Sequence, residues 1–143
     1  MSMSNRTILV IDDEIEQRIL IRNILHLDAY RVLEAADYDV ALAVQREHLG
    51  EIDLLLIDLL LPGLDGFQVI EQVRSDPQWR RIPIVVLNDF QVDTLTTLHY
   101  RNEVNAVLNR GAFHRDELLR RIHELVAQFT KVQPVGAGGA SDE

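Results

Sequence analysis

Asp53-Leu-Leu-Leu-Ile-Asp58 runs straight into Leu59-Leu-Leu-Pro-Gly-Leu-Asp-Gly66. An apolar run bounded by turn residues is the pattern of a strand buried on both faces, as in a parallel sheet. Asp58 stands at the carboxyl end of that run, the edge where open α/β sheets place their ligands. Pro62 and Gly66 turn the chain, and Phe67-Gln-Val-Ile-Glu-Gln-Val73 reads as the helix that follows. A single strand-end aspartate is ordinarily a solvated carboxylate. Here a second acidic pair, Asp12-Asp13, closes another apolar run, Ile8-Leu-Val-Ile11. If the two strands are neighbours, three carboxylates meet at one edge of the sheet.

The rest of the chain supports that placement. Thr7 to Ile11 reads as a first strand, after which Ile15, Ile19, Leu20, Ile24 and Leu27 recur at roughly helical spacing. Acidic residues at a helix start suit its dipole and can cap it, which is the purely structural role open to Asp12 and Asp13. Tyr30-Arg-Val-Leu-Glu34 is a second strand, and a helix carrying Val40, Ala41 and Val44 follows it and ends near Gly50. The central strand comes third, from Ile52. Ser75 to Pro83 is turn-rich, with Pro77 as a helix stop, and Ile84-Val-Val-Leu87 is a fourth buried strand. Val92, Leu95, Leu98 and Tyr100 line one face of a short helix, and Ala106-Val-Leu108 is a brief fifth strand. The final helix has the clearest apolar stripe: Leu118, Leu119, Ile122, Leu125, Val126 and Phe129. Five strands alternating with five helices predict a three-layer α/β/α sandwich around a parallel sheet. Right-handed crossovers and a topological switch point favour a flavodoxin-like (βα)5 arrangement with strand order 2-1-3-4-5. In that order strands one and three are adjacent, so Asp12, Asp13 and Asp58 share one pocket.

Composition bounds the alternatives. The 143 residues suit one domain with a sizeable core, and 47% hydrophobic with 26% charged residues is ordinary globular composition. A formal net charge of −9 argues against direct nucleic-acid binding. Without cysteine there are no disulfides, thiolate metal sites or thiol nucleophiles, which fits a cytoplasmic setting. The N-terminus has no apolar signal region, and no stretch approaches the ~18 apolar residues of a membrane helix, so no membrane association is expected. Residues 1–6 read as a short extension, 7–131 as the domain, and 132–143, rich in Gly and Ala, as a flexible tail or linker stub.

Three carboxylates a few ångströms apart repel one another and call for a cation, a raised pKa or solvent. A hard divalent ion fits best: Mg²⁺ takes one or two carboxylates, keeps several waters and accepts phosphate oxygens as further ligands. An aspartate beside Mg²⁺ can also act as a nucleophile and form an acyl phosphate on its own side chain. Asn88, at the end of the fourth strand, and Arg110, just past the fifth, are placed to hold phosphoryl oxygens.

These residues together resemble the receiver domain of the bacterial two-component response-regulator family, and the likeness runs from about Thr7 to Phe129. It rests on Asp12-Asp13, the acceptor position Asp58, Pro62 and Gly66 behind it, and Ile82-Pro83 before the fourth strand. The resemblance implies phosphoryl transfer from a histidine kinase or phosphotransfer protein to Asp58. It also implies Mg²⁺ held by Asp13, Asp58 and the backbone carbonyl of Leu60, with Asp12 in the same acidic pocket. It further implies signalling to a downstream protein or output domain, and a partner or dimer surface built from the short helix, the fifth strand and the final helix. On that surface Leu95, Leu98, His99 and Tyr100 are the candidates.

The chain departs from the family pattern at the positions that read out phosphorylation. Asn88 stands where Thr or Ser is usual, Arg110-Gly111 where Lys-Pro is usual, and Val107 where Tyr or Phe is usual. Arg110 keeps the charge but presents a planar fork on a longer arm. Mg²⁺ binding and phosphoryl acceptance are therefore expected from the acidic trio, with the switch altered. Leu60 and Phe90 flank the acceptor, and apolar cover there is expected to slow attack by water on the acyl phosphate. The first rival is a degenerate receiver acting as a phosphorylation-independent binding module. A phosphatase of the haloacid dehalogenase type would want Asp-x-Asp after the first strand, where this chain has Asp12-Asp13-Glu14; FMN binding would want a Ser/Thr/Gly-rich phosphate loop. The five histidines show no metal spacing. Trp79 is expected at the end of the sheet opposite Asp58.

Overall fold

Runs such as Ile8-Leu-Val-Ile11 and Leu54-Leu-Leu-Ile57 can be apolar at every position only if both faces of their sheet are covered. The computed structural model describes residues 6–58, 66–88, 104–109 and 115–128 and has that architecture. Its five strands are β1 (Thr7–Ile11), β2 (Arg31–Ala35), β3 (Leu54–Asp58), β4 (Ile84–Asn88) and β5 (Ala106–Asn109). They form one sheet in the order β2-β1-β3-β4-β5, and each neighbouring pair is parallel. The helices α1 (Ile15–His26), α2 (Tyr38–Glu47) and α3 (Gly66–Ser75) and a final helix (Arg115–Gln128) lie between and after the strands. The helix expected over Val92–Tyr100 falls outside the described residues, as do Leu60, Pro62, Phe90, Arg110 and Phe129.

Strand residues alternate between two cores, as the period of two requires. Leu9, Ile11, Leu55, Ile57, Ile84 and Val86 pack with residues of α2 and α3, including Ala41, Val69, Ile70 and Val73. Ile8, Val10, Leu54, Leu56, Val85 and Leu87 pack on the other side with Ile21 and Leu25 of α1 and with Leu118, Ile122 and Val126 of the final helix. These are the three expected layers.

The buried face of α1 differs from the sequence reading. Ile21 and Leu25 are fully buried, whereas Ile15, Leu20 and Leu27 are half exposed or more. The run Ile19-Leu20-Ile21 is apolar through 200° of helix, so periodicity alone could not choose a face. Contact with the sheet chooses it, a rotation of one residue from the expected stripe.

Smaller shifts have local causes. The second strand starts at Arg31, one residue later than expected, and the buried Tyr30 precedes it. Asp37 caps α2 by accepting the Val40 N–H at 2.9 Å. The third strand starts at Leu54, and the buried Asp53 before it brackets Thr7, its side chain accepting the Thr7 N–H at 2.7 Å while its own N–H donates to the Thr7 carbonyl at 2.8 Å. Trp79 lies, as expected, in the turns that lead to β4 at the end of the sheet away from Asp58, and it is buried in the α2–α3 core.

Candidate functional site

The register sets the site. Ile11 of β1 lies beside Ile57 of β3, so the next residues, Asp12 and Asp58, leave the sheet at the same level. Asp58 is the last residue of β3 and pairs with Leu87 of β4. The adjacency of β1 and β3 therefore does what the strand order promised. One oxygen from each of Asp12, Asp13 and Asp58 lies within 4.8 Å of the others. Asp12 and Asp58 are 1% and 3% exposed, while Asp13 is open to solvent.

Asp12 is held by more than its place in the sequence. Its N–H donates to the Ala35 carbonyl at 3.0 Å, carrying the β1–β2 ladder one residue past the strand. Its Oδ1 accepts the Glu14 N–H at 2.9 Å. Glu14 is the N-cap residue of α1 and makes no side-chain cap of its own. The capping role foreseen for the acidic residues is thus met in part: Asp12 satisfies the amide at the cap, one residue before the helix. Burial of two carboxylates near a third needs compensation.

The donor set decides which compensation fits. Three carboxylate oxygens with one open side suit a hard cation that keeps its waters, and they lack the nitrogen or sulfur donors that select zinc or copper. None of the described histidines joins the group. His26 ends α1, His48 caps α2 with Nδ1 at 2.9 Å from Glu51, and His123 is exposed on the final helix. His99 and His114 lie outside the described residues. Asp12, Asp13 and Asp58 are the residues that could hold Mg²⁺.

The remaining expected residues divide between the edge and the undescribed segments. Asn88 ends β4 one position past Leu87, the partner of Asp58, and is level with Asn109 of β5. β5 is one residue longer than foreseen, so Arg110 follows the strand directly; it and Leu60 lie outside the described residues. Val107 is partly buried and packs against the α2–α3 core.

One residue that touches this site, Arg18, was not singled out from the sequence, nor were Glu34 and Arg22, which brace it. Arg18 of α1 donates through Nη1 to the Asp12 carbonyl at 2.8 Å and through Nε to Glu34 Oε1 at 3.2 Å. Arg22 meets the other oxygen of Glu34 at 3.1 Å. The signal was present but weak: Arg18 and Arg22 are spaced i,i+4 on one face of α1, and Glu34 follows two apolar residues near the carboxyl end of β2.

Residues 8–123 match the family model described as the response regulator receiver domain. The transcriptional regulatory protein ResD of Bacillus subtilis is 40% identical over 88 residues, 61% of this chain and 35% of that protein. A probable transcriptional regulator, ycf27, of Porphyridium aerugineum is 37% identical over 130 residues, 90% of this chain and 51% of that protein. The chain spans about a third of the length of the first curated relatives it matches, 33% and 35% for two of them. Among solved structures, the receiver domain of a Pseudomonas aeruginosa PAO1 sensor histidine kinase has magnesium coordinated in its active-site cleft. It superposes with a TM-score of 0.75 at 26% identity, covering 86% of this chain and 98% of that one. The response regulator TrrA of Thermotoga maritima, in complex with Mg²⁺-BeF, gives a TM-score of 0.68 at 26% identity, covering 84% and 98%.

Proposed function

This chain belongs to the response regulator receiver domain family, and we propose that it accepts a phosphoryl group on Asp58 with Mg²⁺ and signals through protein contacts. The observation that carries the reading is the convergence of Asp12, Asp13 and Asp58 within 4.8 Å at the carboxyl edge of a parallel sheet. The two magnesium-containing structural relatives support the choice of cation.

In the reaction, an Asp58 carboxylate oxygen attacks phosphorus in line with the bond to a histidine nitrogen of the donor. The oxygen–phosphorus bond forms, the phosphorus–nitrogen bond breaks, and the imidazole leaves with the electron pair and takes up a proton. Bound Mg²⁺ would supply charge neutralisation between the carboxylates and the phosphoryl oxygens. Asp13, Asp58 and the backbone carbonyl of Leu60 would hold the ion, with Asp12 in the same acidic pocket. The Asn88 amide and the Arg110 guanidinium donate to the phosphoryl oxygens, Arg110 with its fork. Burial of Asp58 limits water at the acyl phosphate.

Residues 7–131 form the receiver, flanked by 1–6 and 132–143. It is a phospho-acceptor rather than a turnover enzyme, and it works in the cytoplasm with a histidine kinase or phosphotransfer protein upstream. Downstream it acts on a protein partner or output domain. No helix among the described residues is long and apolar enough to cross a membrane. A phosphorylation-independent binding module is the alternative, favoured by Val107, whose packing into the core provides no swinging aromatic to read out the acceptor. Calorimetric titration with Mg²⁺ tests the site: the wild type is expected to bind one ion, with the affinity lost in Asp58→Asn and reduced in Asp13→Asn. Equal binding by all three proteins would refute it.

A further inference from the structure

We propose that Arg18 is a positioning residue for the acidic site, fixing the peptide between Asp12 and Asp13 so that both carboxylates face Asp58. The inference rests on the reading of that site as a Mg²⁺ and phosphoryl site.

β1 ends at Ile11, so past that point the sheet no longer dictates where the backbone carbonyls aim. The Asp12 N–H remains tied to the Ala35 carbonyl on β2, but its own carbonyl has no strand partner to fix it once β1 has ended. Arg18 Nη1 takes this carbonyl at 2.8 Å. The carbonyl of Asp12 and the amide of Asp13 belong to one rigid plane, so holding the oxygen also sets where the Asp13 Cα begins. Asp13 is the exposed member of the trio. Its direction is inherited from that plane.

Arg18 is itself held. Its side chain is 15% exposed, and its Nε meets Glu34 Oε1 while Nη1 meets Asp12. Two different N–H groups of one planar fork thus link α1 to both β2 and the start of the acidic loop. An ammonium on a flexible stem cannot reproduce this two-directional geometry. Arg22 braces Glu34 from one helical turn further on.

A charge role and a positioning role have opposite signs here. A cation beside the acidic cluster repels Mg²⁺, so deleting it for charge reasons alone would tighten metal binding. Deleting a group that aims a ligand weakens binding, typically by about tenfold or more for partners of metal ligands. The test is calorimetric Mg²⁺ titration of the full chain as wild type, Arg18→Met, Arg18→Lys, Glu34→Gln and Arg22→Met, alongside metal-free amide and carbonyl NMR shifts. Arg18→Met is expected to bind Mg²⁺ about tenfold more weakly, with the Asp12 carbonyl and Asp13 amide resonances displaced before any metal is added. Arg18→Lys should recover only part of the loss. Adding Glu34→Gln to Arg18→Met should cost nothing further, since both act through one link. Arg22→Met, which does not touch Asp12, should bind Mg²⁺ as the wild type does. Unchanged or tighter binding in Arg18→Met, or a loss in Arg22→Met as large as in Arg18→Met, would overturn the proposal. Failure of the wild type to bind Mg²⁺ would refute the site reading instead, and the metal-free shifts of Asp12 and Asp13 would then decide the role of Arg18.

Discussion

Removing the acceptor carboxylate should stabilise the metal-free protein. Asp12 and Asp58 are 1% and 3% exposed, and their oxygens in the cluster are no more than 4.8 Å apart. Two unit charges at that separation repel by about 3.5 kcal/mol at an effective dielectric of 20 and by about 0.9 kcal/mol in bulk water. With solvent entering from the Asp13 side, about 2 kcal/mol is a reasonable intermediate value. Asp58→Asn keeps the volume and replaces the charge by an amide that can still hydrogen-bond. For a domain of this size about 2 kcal/mol corresponds to roughly 8 °C in Tm. Thermal unfolding in EDTA, followed by circular dichroism, should therefore show Asp58→Asn melting several degrees above the wild type. Addition of Mg²⁺ at about ten times its Kd should then raise the wild type by about 1.4 kcal/mol through linkage and leave the variant unmoved. A variant that melts below the wild type in EDTA would refute the reasoning, because the hydrogen bonds of the Asp58 carboxylate would then outweigh its repulsion.

Other predictions concern the frame. Ala29 holds a positive φ of 62° in the turn after α1; Ala29→Gly should raise urea stability by about 1 kcal/mol, and a loss would show that the strain is absent. Asp53→Ala leaves the buried Thr7 N–H without the acceptor now at 2.7 Å. It should cost about 3 kcal/mol in urea denaturation while leaving the Mg²⁺ affinity unchanged, since the change lies at the other end of the sheet. Burial, followed by the neighbouring Asp28 for Tyr30 and Asp76 for Tyr38, raises both phenols above the ordinary value of 10.0. A raised folded value means that their contribution is full below pH 10 and is lost as pH climbs through the folded values. Absorbance at alkaline pH should show these two tyrosines ionising late, together with unfolding, and early ionisation of all three tyrosines would contradict it.

What was legible in the sequence was what two-fold alternation and strand-end punctuation can encode. Unbroken apolar runs ending in Asp12 and Asp58 gave a doubly covered parallel sheet, and the switch-point rule put β1 beside β3. Where the pattern was saturated it failed: Ile19-Leu20-Ile21 offers three apolar neighbours, and packing on the sheet, which no local pattern contains, buried Ile21 and exposed Leu20. Of the site, the acids were legible because carboxylates at the ends of hydrophobic strands are conspicuous. Arg18 and Glu34 were not, because they meet across 16 residues and each alone looks like an ordinary surface charge.

The central claim is that Asp58 is a working phospho-acceptor, and intact-mass measurement after incubation with acetyl phosphate tests it most directly. The account predicts a gain of one phosphoryl group that requires Mg²⁺ and is absent in Asp58→Asn. No gain under conditions that label an ordinary receiver, or an equal gain in Asp58→Asn, would contradict it; the former would favour a constitutive binding module.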